Sequence, residues 1–460
     1  MSLEVIILAA GQGSRMYSSL PKVLHRIGPW PLLEHVVKLA ESLQPTRTTV
    51  VYGHGGDQVR TQLAHLNLDW IEQKERLGTG HAVQQASDVI GSDATVLILY
   101  GDVPLLSRQT AVSLLDLVKA HPSGLAVLTV MLEDPSGYGR IVRNPDGQVL
   151  RIVEDRDCSP TELTICEGNS GILALNGARL KNWLSRLENR NAQGEFYLTD
   201  IIGFAVDDGV PVRTVCAESV DEVLGVNNRL QLAHLERVYQ SQRARDLMLQ
   251  GVTLRDPARV DLRCELKSVG RDVELDVNVV LEGSIQLGDR VRIGPNVWVR
   301  DCEIGEDVEI LAGSVLEGAR IEAGCRIGPM ARLRPGTHLK QSVHVGNFVE
   351  IKNSQIASGS KVNHLSYVGD AEVGSSVNIG AGTITCNYDG VNKYKTIIGD
   401  GAFIGSCSQL VAPVRIGQGA TVGAGSTITR DVPENQLTLS RSKQVTVEGW
   451  RRPSKSTQEA

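Results

Sequence analysis

From Leu287 onward an aliphatic residue, often followed by glycine, returns at every sixth position. Leu287-Gly288 and Ile293-Gly294 open the series, and Ile321, Ile327-Gly328, Leu333, Leu339, Val345-Gly346 and Ile351 extend it. It resumes at Ile398-Gly399 and runs through Ile404-Gly405, Leu410, Ile416-Gly417, Val422-Gly423 and Ile428. A six-residue period held this long is the mark of a parallel β-helix, each repeat a short strand plus a turn. The aliphatic side chain points into the coil and packs on its equivalent in the next. The glycines supply turn conformations that other residues reach only with strain. An irregular glycine-rich β domain would not keep such a register. The register is expected to break once, at Thr385 to Lys395, between Ile379-Gly380 and Ile398-Gly399. That insertion must leave the coil as a loop. Such loops often build a solenoid's binding face, the plain alternative being a tolerated surface insertion.

A solenoid cannot account for the first half of the chain. Residues 5–10 form a short apolar run ending in Gly11, as a strand buried on both faces does. Residues 31–43 have helical periodicity, 48–52 are β-branched, and 94–100 and 125–132 are further apolar strands. Asn144-Pro145-Asp146-Gly147 reads as a turn. Strands spaced by helical segments predict an α/β, Rossmann-like domain with a mostly parallel sheet and ligands beyond the strands' carboxyl ends. Residues 228–250, with Leu230, Leu232, Leu235, Val238 and Tyr239 among many charges, read as one long exposed helix. The expected division is 1–227 for the α/β domain, 228–250 for a helical arm, 251–437 for the β-helix and 438–460 for a tail. Its last stretch, 451–460, is polar, is expected to be mobile and carries no legible function.

The net charge of −6 argues against a nucleic-acid surface, which would be basic. It leaves room for anionic substrates held by local lysines and arginines. The eight cysteines show no zinc-finger or CxxC spacing, as fits a reducing compartment. Residues 1–5 lack the basic and apolar regions of a signal peptide, and no apolar run approaches the ~18 residues that span a bilayer. A soluble, cytoplasmic protein is expected, with no nucleic-acid or membrane partner.

Leu8-Ala9-Ala10-Gly11-Gln12-Gly13-Ser14-Arg15-Met16, followed by Pro21-Lys22, carries the first chemistry. Small residues let backbone N–H groups approach a nucleotide. The turn is expected to feed a helix N-terminus, which favours anions, and Arg15 and Lys22 can hold phosphates. The string resembles the signature of sugar-nucleotide pyrophosphorylases. Asp102 follows an apolar strand and is a candidate Mg²⁺ ligand, since Mg²⁺ takes one or two protein ligands and completes its shell with phosphate and water. It lies too early to cap a helix beginning near Ser107.

The resemblance runs across both halves, to the family of bifunctional bacterial N-acetylglucosamine-1-phosphate uridyltransferases/glucosamine-1-phosphate acetyltransferases. It implies that the metal is shared by Asp102 and Asn227, the latter in Gly225-Val226-Asn227-Asn228. It implies nucleotide contacts at Leu8, Ala9, Ala10, Gly11, Lys22, Gln73, Gly78, Thr79, Tyr100, Gly101 and Asp102, and sugar contacts at Gly139, Glu154 and Asn169. Glu154 would otherwise read as a strand-edge surface charge. The reaction implied is in-line attack of a sugar-1-phosphate oxygen on the α-phosphorus of UTP. Its product, UDP-N-acetylglucosamine, feeds peptidoglycan and lipopolysaccharide precursors. Gly28-Pro29-Trp30-Pro31 departs from the family's more usual Gly-Lys-Pro stretch and leaves open the local geometry after Lys22.

In the left-handed β-helices that this repeat resembles, three hexapeptides make one coil. Arg334 and Lys352, 18 positions apart and each directly after an inward aliphatic, should then stack on one face as a clamp for a sugar phosphate. A solvated charged face is the plain alternative. His364 suits removal of a proton from a sugar ammonium at neutral pH. It is one of ten histidines, and the family motif selects it. The resemblance further implies glucosamine-1-phosphate contacts at Tyr367 and Asn378, acetyl-CoA contacts at Ala381, Asn387, Tyr388, Ser406, Ala424 and Arg441, and a homotrimer assembled through the β-helix. Two other functions compete: a single-activity sugar-1-phosphate nucleotidyltransferase with a regulatory β-helix, and a regulatory subunit with a dead site. His364, Lys352 and the loop argue against the first, and Arg15, Lys22 and Asp102 against the second.

Overall fold

A computed structural model of the chain describes residues 2–53, 55–122 and 124–453. Of the terminal stretch 451–460, residues 454–460 therefore lie outside the described residues. The chain divides into two compact units, Met1–Gln242 and Arg243–Ala460.

The first unit is built on strands β1 (Leu3–Ala9), β2 (Arg47–Tyr52), β3 (Asp69–Glu72), β4 (Thr95–Tyr100), β5 (Leu125–Met131), β6 (Arg140–Arg143), β7 (Val149–Val153), β8 (Glu167–Asn176) and β9 (Val212–Cys216). The sheet runs in the order β9-β5-β8-β4-β1-β2-β3, with β6 and β7 attached as a hairpin beside β8. β1, β2, β3 and β4 are parallel, β9 is parallel to β5, and β8 is antiparallel to β4 and β5. Alternation along β1 explains its unbroken apolar run. Val5 and Ile7 face one core with Leu33, Val36 and Val37 of helix α1 (Leu32–Ser42), while Ile6 and Leu8 face another with Ala82 and Val83 of α2 (Thr79–Gln85). Each such side chain stabilises by about 1.5–3 kcal/mol through burial. Helix α3 (Arg108–Ala120) completes the first face, and its N-cap is Ser107, whose hydroxyl accepts from the Thr110 amide. Helix α4 (Asp200–Asp207) completes the second.

The loop after β1 differs from expectation. It leads into a single 3₁₀ turn, Ser14–Met16, and α1 does not begin until Leu32. The Gly28–Pro31 departure is absorbed by a two-strand hairpin pairing Arg26 with Pro31 and Ile27 with Trp30. Gly28 turns it at φ 53°, where a Cβ would lie 2.3 Å from the Tyr239 ring. The long charged segment is one helix, α5 (Arg229–Leu249), and the division between units falls inside it.

The second unit is a left-handed parallel β-helix whose first strand is Thr253–Leu254 and last Leu437–Thr438. Its core is a set of stacked inward ladders. One reads Leu275, Ile293, Ile310, Ile327, Val345, Val362, Ile379, Ile404 and Val422, all buried. The six-residue register breaks more than once. Leu316 pairs with Leu333, seventeen positions on, whereas Leu333 pairs with Ile351, eighteen on. The shorter coils contain five-residue steps, such as Leu316 to Ile321, Ile351 to Ile356 and Val368 to Val373. At these corners Gly318, Asn353 and Asp370 adopt left-handed φ values of 56°, 44° and 49°. Six-residue corners carry a left-handed residue as well, as at Gly336 (φ 81°) between Leu333 and Leu339, and glycine, asparagine and aspartate reach that conformation at least cost. Where the loop enters, Thr385 takes the inward place next to Leu410. Its buried hydroxyl accepts from the Gly369 amide (2.8 Å) and donates to the Gly369 carbonyl (3.0 Å).

Candidate active sites

The carboxyl ends of β1 and β4 open onto a cavity of about 270 Å³ in the first unit. Leu8, Ala9, Ala10, Gly11, Lys22, Gln73, Gly78, Thr79, Tyr100 and Asp102 all line it. Gly101 is buried beneath, its amide bonded to the Leu8 carbonyl. Gly13 holds the loop at φ 65°, and a Cβ there would lie 2.6 Å from Lys22 Cβ. The Lys22 stem is thus laid along the loop, and its ammonium donates to the Asp102 carboxylate and to Asn227 Oδ1 (3.2 Å). Asp102 and Asn227 are tied together by the backbone, since the Val226 amide donates to the Asp102 carbonyl (2.9 Å). Arg15 stands exposed on the 3₁₀ turn and does not line the cavity. Arg76 and Glu195 do line it, although no local motif in the sequence marked them.

The residues matched to the sugar gather around Tyr100. A Cβ on Gly139 would sit 3.4 Å from Glu154 Oε2 and 3.6 Å from Asn169 Cβ, and one on Gly171 would strike the Tyr100 ring at 2.6 Å. Asn169 Oδ1 accepts from the Gly171 amide (3.0 Å). Burial, and then the charges of Glu154 and Asp102, push the Tyr100 hydroxyl well above its ordinary pKa, so it stays a neutral donor. Glu154 also titrates above the usual carboxylate range because it is buried, although Thr199 donates to it at 2.8 Å. It also lines a larger cavity, of about 610 Å³, with Asp157, Thr199 and Asp200. There burial, then Glu154 and Asp157, push Asp200 up to about 6.

In the second unit Arg334 and Lys352 follow the paired Leu333 and Ile351, on one face. Arg334 donates to Glu350 at 2.8 Å. The Lys352 ammonium is held below its ordinary pKa chiefly by Lys393, then by desolvation and Arg334, against an opposing pull from Asp370. Lys393 belongs to the inserted loop and was missed in the sequence. The signal was present: Asp389-Gly390 is a reversal dipeptide, and the loop folds back so that Tyr388 bridges Lys393. The loop's base is fixed by a side-chain bond from Asn387 to Asp370, which also accepts from Asn353 at 2.6 Å.

His364 is exposed, and its Nδ1 lies 3.0 Å from Asn347 Oδ1 on the preceding coil. Tyr367 pairs with Glu350 on the preceding coil, and Asn378 with Lys361 likewise. Ala381, Ser406 and Ala424 occupy corresponding turns of successive coils. The Cys407 amide donates to the Ala381 carbonyl (2.7 Å) and the Gly425 amide to that of Ser406 (2.8 Å). Arg441 closes the row by donating to the Ala424 carbonyl (3.0 Å). Tyr388 is exposed on the loop and Asn387 is buried at its base.

Residues 5–251 match the MobA-like NTP transferase domain family, and residues 395–430 match the bacterial transferase hexapeptide family, six repeats. Fold and family matches together define a nucleotidyltransferase joined to a hexapeptide-repeat transferase. The chain is 62% identical over 460 residues to the bifunctional protein GlmU of Methylococcus capsulatus, covering 100% of this chain and 99% of that one. It belongs to the family of bifunctional GlmU enzymes, which unite nucleotidyltransferase and acetyltransferase domains. A crystal structure of UDP-glucose pyrophosphorylase complexed with UDP-glucose is also similar, at 16% identity over 53% of this chain and 100% of that one, with a TM-score of 0.45. Among the described residues no helix is long and apolar enough to cross a membrane.

Proposed function

We propose that the chain makes UDP-N-acetylglucosamine in two steps. Acetyl-CoA acetylates glucosamine-1-phosphate in the second unit. UTP then donates UMP to N-acetylglucosamine-1-phosphate in the first unit, with release of pyrophosphate. The working division is 1–227 for uridylyl transfer, 228–250 for a connecting arm, 251–437 for acetyl transfer and 438–460 for a tail, in a cytoplasmic protein.

One observation carries the two-activity reading. Lys393 comes back on the inserted loop to crowd Lys352, which Arg334 also repels. Gathering like charges is unfavourable, and Glu350 and Asp370 offset it only in part, since the Lys352 ammonium stays below its ordinary pKa. A β-helix serving only as scaffold has no use for that cluster, whereas a sugar phosphate neutralises it. Tyr367 and Asn378 complete the sugar's contacts. Ala381, Asn387, Tyr388, Ser406, Ala424 and Arg441 hold acetyl-CoA. His364 Nε2 takes a proton from the sugar ammonium. That proton passes on to solvent; the freed amine forms its C–N bond at the thioester carbonyl as the C–S bond breaks, and Nε2 relays the nitrogen's second proton to the leaving thiolate, so that a neutral amide and a thiol result.

In the first unit Leu8 to Gly11, Gln73, Gly78, Thr79, Tyr100 and Gly101 seat the nucleotide. Gly139, Glu154 and Asn169 seat the acetylated sugar. Asp102 and Asn227 present two hard oxygen donors to one point, and the Lys22 ammonium bonded to both supports the reading that this point takes positive charge. That donor set fits Mg²⁺, which takes carboxylate and amide oxygens and leaves room for phosphate. Bound there, Mg²⁺ would neutralise charge developing on the triphosphate. Lys22 and Arg15 orient the phosphates so that the sugar phosphate oxygen and the departing pyrophosphate lie in line.

The reading includes a homotrimer through the β-helix. Met330, Phe348 and Leu365 hold left-handed corners in successive coils at φ 56°, 56° and 46°, each more than half exposed. Large apolar residues rarely adopt that conformation, and an exposed ridge of them suits burial against another copy. The test of the whole reading is product formation from UTP, acetyl-CoA and glucosamine-1-phosphate, with each omitted in turn. UDP-sugar formed at full rate without acetyl-CoA would overturn it.

A further inference from the structure

The bond from Lys22 to Asp102 and Asn227 places a monovalent cation where the proposed divalent one belongs. Both ligand residues of that site already meet the ammonium: Asp102 through its Oδ2 in an ion pair, and Asn227 through Oδ1 in a hydrogen bond at 3.2 Å. The pair is sheltered, with the Lys22 and Asp102 side chains 11% and 17% exposed, so solvent does little to loosen it. The Lys22 ammonium is also close to the nucleotide loop. A Cβ built on Gly11 would lie 3.9 Å from Lys22 Nζ. The side chain can therefore pass from Asp102 to a phosphate on that loop by turning its own terminal bonds.

We infer that Lys22 is the resident occupant of the metal position, and that a divalent cation enters only as the nucleotide's phosphates draw Lys22 away. This rests on the reading that Asp102 and Asn227 are the metal's ligands. A hydrated Mg²⁺ gives up water reluctantly. In the nucleotide-free chain it meets a carboxylate whose charge is already cancelled. A triphosphate changes both sides of the exchange, offering Lys22 a denser anion and the metal further oxygen ligands. Metal and nucleotide then favour each other's binding through one lysine, and by linkage the effect is reciprocal. The free enzyme accordingly holds little metal, and the cation arrives with the triphosphate.

The test is binding of Mn²⁺ alone to the nucleotide-free, full-length chain, read by the loss of the free-ion electron paramagnetic resonance signal. Lys22→Gln should bind Mn²⁺ about tenfold more tightly than wild type, about 1.4 kcal/mol. Arg76→Gln removes a cation from the same cavity that bonds to Gln12 instead, and it should change the affinity by less than about twofold, as a through-space effect would. Adding Asp102→Asn to Lys22→Gln should erase the gain. Equal affinity in Lys22→Gln and wild type overturns the inference, as does an equal rise in Arg76→Gln. The line shape of the Mn²⁺–UTP–enzyme complex tests the ligand assignment separately. If Asp102→Asn leaves it unchanged, that assignment fails; if it changes while Lys22→Gln binds metal no better, only the lysine exchange is wrong.

Discussion

His364 Nδ1 lies 3.0 Å from Asn347 Oδ1, a bond that crosses from one coil of the β-helix to the next. A carbonyl oxygen can only accept, so Nδ1 carries the hydrogen and the lone pair sits on Nε2, turned away from Asn347. Asn347 thereby fixes both the tautomer and the plane of the His364 imidazole. His364→Ala should lose acetyl transfer by a factor of about 10² or more while uridylyl transfer from N-acetylglucosamine-1-phosphate stays normal. Asn347→Ala should lower kcat for acetyl transfer by a smaller factor with little change in KM. The check is the pH profile of acetyl transfer in each folded variant. Near-normal acetylation by His364→Ala would sink the assignment.

Lys393 offers the sharpest test of the phosphate clamp. Lys393→Ala should raise KM for glucosamine-1-phosphate about tenfold, as loss of one charge-assisted contact does. It should also let the Lys352 amine titrate closer to its ordinary value, because its principal crowding neighbour is gone. Steady-state kinetics with varied sugar phosphate decides the first point. Unchanged KM would place the phosphate elsewhere.

Asp102→Ala should abolish UDP-sugar formation and leave acetylation intact, because the two residue sets belong to separate units. The two half-reactions assayed on one preparation provide the measurement. A parallel fall in acetyl transfer by a folded variant would argue against independent sites.

Phe348→Ser, at the middle of the exposed apolar ridge, should weaken self-association. Burial of one such ring against another copy is worth about 1.5–3 kcal/mol. Light scattering should show wild type at three chain masses and the variant shifted toward smaller species at low concentration. A wild-type monomer at working concentration would rule the trimer out.

Asp200 links the larger cavity to pH. Its carboxyl is raised to about 6 from an ordinary 3.8, so between those values the folded chain binds a proton that the unfolded chain has released. Stability contributed by this group therefore falls as pH rises through that window. Asp200→Asn should raise stability at pH 7.5 by on the order of 1 kcal/mol, discounted for partial exposure, and the gain should vanish below pH 4. Thermal melts at both pH values test it, and an equal gain at pH 4 would exclude a charge effect.

The sequence made legible whatever is local or periodic. The inward aliphatics announce the solenoid because each must occupy the same place in every coil. Asp102 could be picked out because it directly follows a run of apolar strand residues. What stayed hidden depends on backbone angles or on distant partners. The five-residue corners at Asn353 and Asp370 turn on a left-handed φ that no period encodes. The helix expected after Gly13 gave way to one 3₁₀ turn. The pairs Thr199 with Glu154 and Asn347 with His364 join residues 45 and 17 positions apart, and only the folded chain brings them within bonding distance.

The mixture of five- and six-residue corners bears on how this chain can change length over evolutionary time. Removing one residue within a strand would turn every later aliphatic outward, since side chains alternate faces. Removing one at a corner keeps the left-handed turn, which both the five-residue corner at Gly318 and the six-residue corner at Gly336 contain, and the next strand starts again in phase. Corners such as Gly318, Asn353 and Asp370 are thus where single-codon deletions can be accepted without disturbing the coils above. A comparison of sequences that enforces a strict count of six would misplace each repeat that follows one.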